Sequence, residues 1–290
     1  MRGVAHSGWR GICVFSVLLG LAAVPKAGVD SGWQLLAPGM ELRRVTPSVP
    51  GPVGSSPIIV LRIDPAQWEL SFVGVSNTGE SAGHSAHAWA EAYHLTAVIN
   101  AGMFETDGKT HLGYVRSRGK ISNSNANAYQ SVAAFDPNDS QQHPQFRIFD
   151  LDEKSVSMQS ILKDYASAVQ NLRLIKRPGL NQWGQQKKKW SEAALGEDDK
   201  GRILFIFSRA PFSMYDLNRE LLSAGIGLVT AQHLEGGPEA QLYVRAGSVE
   251  LEMVGSFETG FKENDANTIA WPVPNVLGVR PRTKTTKPAQ

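Results

Sequence analysis

The chain has 290 residues with 42% hydrophobic and 19% charged side chains, the balance of an ordinary globular protein and not of a disordered one. Its 29 basic and 27 acidic residues leave a formal charge of +2, and the single cysteine, Cys13, excludes disulfide frameworks and Cys-ligated metal centres. The basic excess sits at the two ends: without residues 1–27 and 280–290, 22 basic groups face 27 acidic ones, which argues against a nucleic-acid binder.

Arg2 and Arg10 precede an apolar run from Ile12 to Val24, followed by small residues. The run is short of the about 20 residues that a membrane span requires, so residues 1–27 read as a removed signal peptide and the mature chain as secreted or periplasmic, without a transmembrane anchor. Residues 28–56 read as a Gly-, Pro- and Ser-rich N-terminal extension with short strands around Gln34 and from Met40 to Val45; residues 57–280 read as the main domain. Ile58–Asp64 and Trp68–Val75 are expected to form a hairpin around Asp64-Pro-Ala-Gln67. Ser85–His94 has a helical face of Ala86, Trp89, Ala90 and Tyr93. It feeds an apolar strand, Ala97–Ile99, that ends on Asn100.

After that strand come Gly102, Met103 and Phe104, then a polar loop to Thr110, a short strand from His111 to Ser117, and a tight turn at Arg118-Gly-Lys120. Ser122–Ala128 reads as an exposed loop, and Gln130–Phe135 and Phe146–Phe149 as paired strands. Met158, Ile161, Leu162, Tyr165 and Val169 predict one helix over Val156–Val169. Glu192–Leu195 and Arg202–Ser208 read as a hairpin, and Ser213 as the cap of a helix with a Met214, Leu217, Leu221 and Leu222 face. A strand from Val229 to Leu234 delivers Glu235 to a Gly236-Gly237 pair, and Gln241–Arg245 pairs with Val249–Met253. Residues 281–290 read as a disordered basic tail. Many short strands, about three flanking helices and no regular βαβ alternation predict an α+β fold with a mixed, largely antiparallel sheet.

Several fragments fail as motifs. Gly83-His-Ser-Ala-His87 lacks the second glycine of a nucleophile elbow, Gly225-Ile-Gly227 follows a helix where a dinucleotide fingerprint opens one, and His233-Leu-Glu235 lacks the cysteine pair of a zinc deaminase. His84, His87 and His94 have no carboxylate at metal-ligand spacing and read as surface or capping residues. Two strand ends remain, each stopping at a glycine-softened corner where backbone can approach a ligand. The expectation is that they meet in space. Glu235 and Glu239, with Asn100 and His111, are the candidate catalytic groups, since paired carboxylates suit acid/base cleavage of a glycosidic or phosphodiester linkage. Gly102, Phe104, Gly113, Gly236, Gly237 and Arg209 are the candidate substrate-binding residues. No cofactor is indicated, and the residues leave a divalent cation open.

At these corners the chain resembles the phosphodiester glycosidase family. The family stretch Ile-Asn-Gly-Gly-Phe-Phe is similar to Ile99-Asn-Ala-Gly-Met-Phe104, its Leu-Asp-Gly-Gly-Gly-Ser to Leu234-Glu-Gly-Gly-Pro-Glu239, its Gly-containing strand to Leu112-Gly113-Tyr114, and its closing Asn strand to Pro274-Asn-Val-Leu-Gly278. The resemblance implies the family fold and an exported glycosidase acting on a glycan or glycosyl phosphodiester; bacterial members are often linked to exopolysaccharides. Three departures stand out. Glu235 replaces Asp, Pro238-Glu239 replaces Gly-Ser, and Glu192-Ala-Ala-Leu-Gly196 lies where the family has Arg-Thr-Ala-Ile-Gly. The anion-binding Arg is missing there, with Arg173, Arg177 and Arg209 as candidate replacements. The alternative expectation is a non-catalytic envelope protein that binds polysaccharide or assists exopolysaccharide assembly.

Overall fold

The computed structural model describes residues 1, 32–49, 51, 53 and 56–283; the expected signal segment and most of the basic tail lie outside them. The strands are β1 (Gln34–Ala37), β2 (Met40–Val45), β3 (Ile58–Ile63), β4 (Trp68–Gly74), β5 (Ala97–Asn100), β6 (Val115–Ser117), β7 (Lys120–Asn123), β8 (Ser131–Pro137), β9 (Phe146–Asp150), β10 (Tyr165–Asn171), β11 (Arg173–Ile175), β12 (Trp190–Asp198), β13 (Ile203–Phe212), β14 (Leu228–Gly236), β15 (Gln241–Ala246), β16 (Val249–Val254) and β17 (Asn275–Pro281). The helices are α1 (Val75–Thr78), α2 (Ala86–Tyr93), α3 (Met158–Asp164) and α4 (Met214–Ser223), with a 3-10 turn at Gly237–Glu239. The fold is α+β and dominated by antiparallel sheets.

Three sheets enclose one apolar core. Their orders are β1-β2-β3-β13-β12-β14-β11, β7-β6-β10-β8-β9 and β16-β15-β5-β17-β4. Strand periodicity explains the layering. In β13, Ile203, Phe205 and Phe207 enter the central core, while Leu204 and Ile206 face outward to α4 with Leu217 and Leu221. In β5, Ala97 and Ile99 face the core and Val98 faces Trp89 and Ala90 of α2. In β10, Val169 faces inward and Ala168 packs with Ile161 of α3. Each sheet thus has one helix on its outer face. Being covered on both sides, these strands read as continuous apolar runs in the sequence.

Local signals set the helix starts. Ser85 Oγ accepts from the Ala88 amide and Ser213 Oγ from the Asp216 amide, both at 3.1 Å. Two expectations are corrected. β3 and β4 do not form a hairpin, because both edges of β3 are occupied, by β2 and by β13, and β4 pairs instead with β17. The long helix expected over Val156–Val169 stops at Asp164, and Tyr165–Asn171 is β10, paired in register with β8 and β6. Sheet pairing outweighs local periodicity there. The segment before residue 57 contributes β1 and β2 to the seven-stranded sheet, and Met40 and Leu42 to the core.

Candidate active site at the shared strand ends

The two corners meet. β5 pairs with β15, which follows the Gly236-Gly237 turn. Asn100 clasps them: its Nδ2 donates to the Glu239 carbonyl at 2.9 Å and its Oδ1 accepts from the Gln241 amide at 2.7 Å. Fully buried, Asn100 spends its amide on the opposing backbone, so it positions the Glu239 turn and does not itself orient a substrate.

β14 is where the carboxylate is aimed. Ala193 of β12 lies opposite Glu235, but Ala194 lies opposite His233, so Leu234 is an extra residue, a β-bulge. Directly opposed residues share a face of the sheet. His233 therefore takes the outer face with Ala194, and Glu235 takes the inner face with Ala193. In a regular strand the two would share a face. The bulge turns Glu235 toward the central core, where its charge and that of Glu105 both act on Tyr129.

Glu235 is buried, with one oxygen accepting from the Gly236 amide at 3.0 Å. Desolvation pushes its carboxyl up to about 8; His233 opposes the rise, and Glu239 and Glu192 add to it. The acid is mostly protonated at neutral pH. Glu239 is half-buried, and desolvation followed by the nearby Glu258 carboxylate raises it too. On the outer face, His233 Nδ1 lies 2.6 Å from Glu192 Oε1, and Trp190 Nε1 donates to Glu192 Oε2 at 2.6 Å. Burial pulls His233 down, yet the Glu192 charge and hydrogen bond, with Glu235 and Glu258, leave it raised overall. This pair favours the charged form of the imidazole on the face of β14 opposite Glu235.

Beside Gly102 lies a buried polar layer. His111 Nε2 donates to the Gln170 carbonyl at 3.0 Å, and burial holds the ring neutral, with its pKa down to about 4. Gln170 uses its own amide to hold the loop before β8: Nε2 donates to the Asn127 and Tyr129 carbonyls, and Oε1 accepts from the Asn127 and Tyr114 amides. Asn171 Nδ2 donates to the Ala101 carbonyl at 2.9 Å and reaches Gln232 Oε1 at 3.4 Å. His111 Nδ1 and Asn171 Oδ1 are buried without a partner. Both flank Gly102, whose φ is +149° and where a Cβ would collide with Asn171 Oδ1 and His111 Cε1.

The remaining expected residues take defined places. Half-buried Phe104 bridges to His111. Gly113, with φ +100°, lets the chain close on the Gln170 carbonyl, 2.9 Å from where a Cβ would stand. Gly236 backs onto Trp190, and Gly237 onto the Glu258 carboxylate. Arg209 is corrected from substrate binding to loop anchoring: its guanidinium meets Asp265 Oδ1 at 2.8 Å and the Val254 and Asn267 carbonyls at 2.7 and 2.8 Å. Arg173 is spent on Asp150 and Asp152, and Arg177 on Glu197. Sequence reasoning missed Tyr129, Gln170, Asn171, Gln232 and Glu192; the available signal was the polar pair Gln170-Asn171 at the end of the otherwise mostly apolar β10. Among the described residues, no three His, Asp or Glu side chains gather as a metal-holding group, and no helix is long and apolar enough to cross a membrane.

Three antiparallel sheets with two interacting carboxyls at their shared end define a sheet-dominated α+β protein with a two-carboxyl site. The phosphodiester glycosidase family model matches residues 93–280, and the chain belongs to that family. No protein of curated function matches it by sequence. Its fold is similar to the catalytic domain of zebrafish N-acetylglucosamine-1-phosphodiester alpha-N-acetylglucosaminidase auto-inhibited by its pro-peptide, with a TM-score of 0.60, 13% identity, and 88% and 87% of the two chains covered. It is also similar to a hypothetical protein from Synechocystis, with a TM-score of 0.56, 14% identity, and 85% of this chain and 63% of that one covered.

Proposed function

We propose that the protein is an exported hydrolase of sugar-1-phosphodiester or related glycosidic linkages. The observation that supports this reading is Glu235, a buried carboxyl pushed up to about 8 that a bulge turns to the inner face of its sheet, with Glu239 near enough to act on it. In the proposed step Glu235 gives its proton to the leaving oxygen as the bond from the anomeric carbon to that oxygen breaks. Water attacks the anomeric carbon, and its proton passes to Glu239, whose raised pKa makes it a better base than a free carboxylate. Solvent then restores both groups. Glu192 and His233 act on Glu235 through their charge, and Gln170 holds the loop that carries Tyr129. The N-terminal pattern of Arg2, Arg10 and Ile12–Val24 supports export.

Glu235→Gln is the direct test. It keeps the shape and removes the proton, so kcat falls about 10²- to 10⁴-fold. The effect on stability depends on pH. Glu235 titrates near 8 in the folded chain against 4.5 as a free group, so its ionisation penalises folding increasingly as the pH rises from 4.5 to 8. Glu235→Gln therefore leaves the Tm unchanged near pH 4.5 and raises it above pH 8. Full activity in the variant refutes the assignment.

A further inference from the structure

We infer that a cavity near the Glu235 corner is a second sugar-binding site, which takes an uncharged pyranose of an extended glycan against the rings of Tyr129 and Trp183. It rests on the hydrolase reading and extends it: the substrate is an oligosaccharide or polysaccharide, and a single sugar fills only part of the site. The cavity has a volume of about 310 Å³ and lies at the joint of two sheets, where β10 ends at Asn171 and β11 begins at Arg173. β11 pairs with β14: Arg173 lies opposite Gln232, and the His233 amide donates to the Leu172 carbonyl at 2.9 Å. Glu235 follows Gln232 by three residues, so about 10 Å of strand separates the level of the cavity wall from that of the carboxyl. Tyr129 also lies within electrostatic range of Glu235.

Both aromatic residues are held before any ligand arrives. Trp183 Nε1 donates to the Arg173 carbonyl at 3.1 Å and the Trp183 amide to Asn181 Oδ1 at 3.2 Å, and the residue packs against the apolar cluster that holds α4. Tyr129 is held at both backbone groups: its amide donates to Asn127 Oδ1 at 2.9 Å, and its carbonyl accepts from Gln170 Nε2 at 2.7 Å. Both residues stay half-buried, and with Leu172 and Leu174 they give the cavity an apolar wall. The C–H face of a pyranose packs on such rings, and a ring fixed in advance loses little entropy on binding.

The charges that line the cavity are already neutralised. Arg173 pairs with Asp150 and Asp152, and Lys176 with Asp152 and Glu153 at 3.0 Å each. An anion in this cavity would have to displace those carboxylates, whereas a neutral sugar leaves them in place. The uncharged polar groups offer both senses of hydrogen bond. Gln182 Oε1 accepts from Arg173 at 2.7 Å, which leaves its Nε2 as a donor, and Gln130 Nε2 donates to the Ala128 carbonyl at 2.8 Å, which leaves its Oε1 as an acceptor. A donor and an acceptor around an apolar wall match the hydroxyls and C–H faces of a sugar.

The test is calorimetric titration of Glu235→Gln, which holds glycans without cleaving them, with maltohexaose, cellohexaose, mannohexaose and the chitin hexasaccharide, and with glucose, mannose and N-acetylglucosamine. At least one hexasaccharide binds, about tenfold or more tighter than its free sugar. Trp183→Ala and Tyr129→Ala, each added to Glu235→Gln, weaken that binding about tenfold, and Trp183→Phe, which keeps a ring, retains most of it. Tyr129 lies on a loop outside the apolar clusters, so Tyr129→Ala stays informative if Trp183→Ala does not fold. Unchanged affinity in the alanine variants, or no binding of any hexasaccharide, overturns the inference and leaves the hydrolase reading standing. Ring-dependent binding without turnover of any of these glycans by the wild type supports the sugar site and counts against the hydrolase reading alone.

Discussion

Glu192 is a glutamate held at 2% exposure between an imidazole and an indole N–H. Such a pair adds little net stability, but removing one partner strands the other in a dry site. His233 titrates above its free value, so the stability it gains from Glu192 is fully present below about pH 6.5 and fades as the pH rises through the higher folded value. Glu192→Gln should therefore lower unfolding free energy by about 3 kcal/mol at pH 5.5, and by less at pH 9, in urea titrations at the two pH values. An equal loss at both would mean that the imidazole is not charged. The chemistry-bearing glutamates were legible from their neighbours: Glu235 and Glu239 flank a Gly-Gly pair at the end of an apolar strand. The burial that shifts Glu235 was not legible, because it comes from residues remote in sequence.

At the level of elements, the molecule depends on the join between the end of β5 and the start of β15. Asn100 carries two of its bonds, to the Glu239 carbonyl and the Gln241 amide. Asn100→Ala leaves both backbone groups unpaired, and the expected loss is about 2–4 kcal/mol of stability. Because Glu239 sits on the released turn, kcat should fall with it, while Asn100→Asp, which keeps the acceptor for Gln241, should recover part of the stability. Calorimetry beside initial-rate kinetics checks both. An Asn100→Ala enzyme with native Tm would show that the join is held elsewhere. The bulge at Leu234 belongs to this scale as well. The alternation of β14 alone puts His233 and Glu235 on one face, and only pairing with β12 reveals that they part.

The whole molecule is three sheets around one core, with α2, α3 and α4 as outer covers. β1 and β2 extend the largest sheet past β3. Truncation before residue 57 bares the edge of Ile58–Ile63 and removes Met40 and Leu42 from the core. The shortened chain should aggregate or melt well below the intact one, as light scattering and thermal melts would show; an unchanged Tm would make β1 and β2 dispensable. The sequence by itself determined the fold class, the existence of most strands, the cap of α4, and the two glycine-softened corners, because propensity, capping and turn chemistry act over a few residues. Only the tertiary structure decided which strands pair, that Tyr165–Asn171 leaves the helix for a sheet, that Arg209 ties a loop, and that Glu235 faces inward. These depend on which edges are free and on what packs from distant segments, and no local window of sequence carries that information.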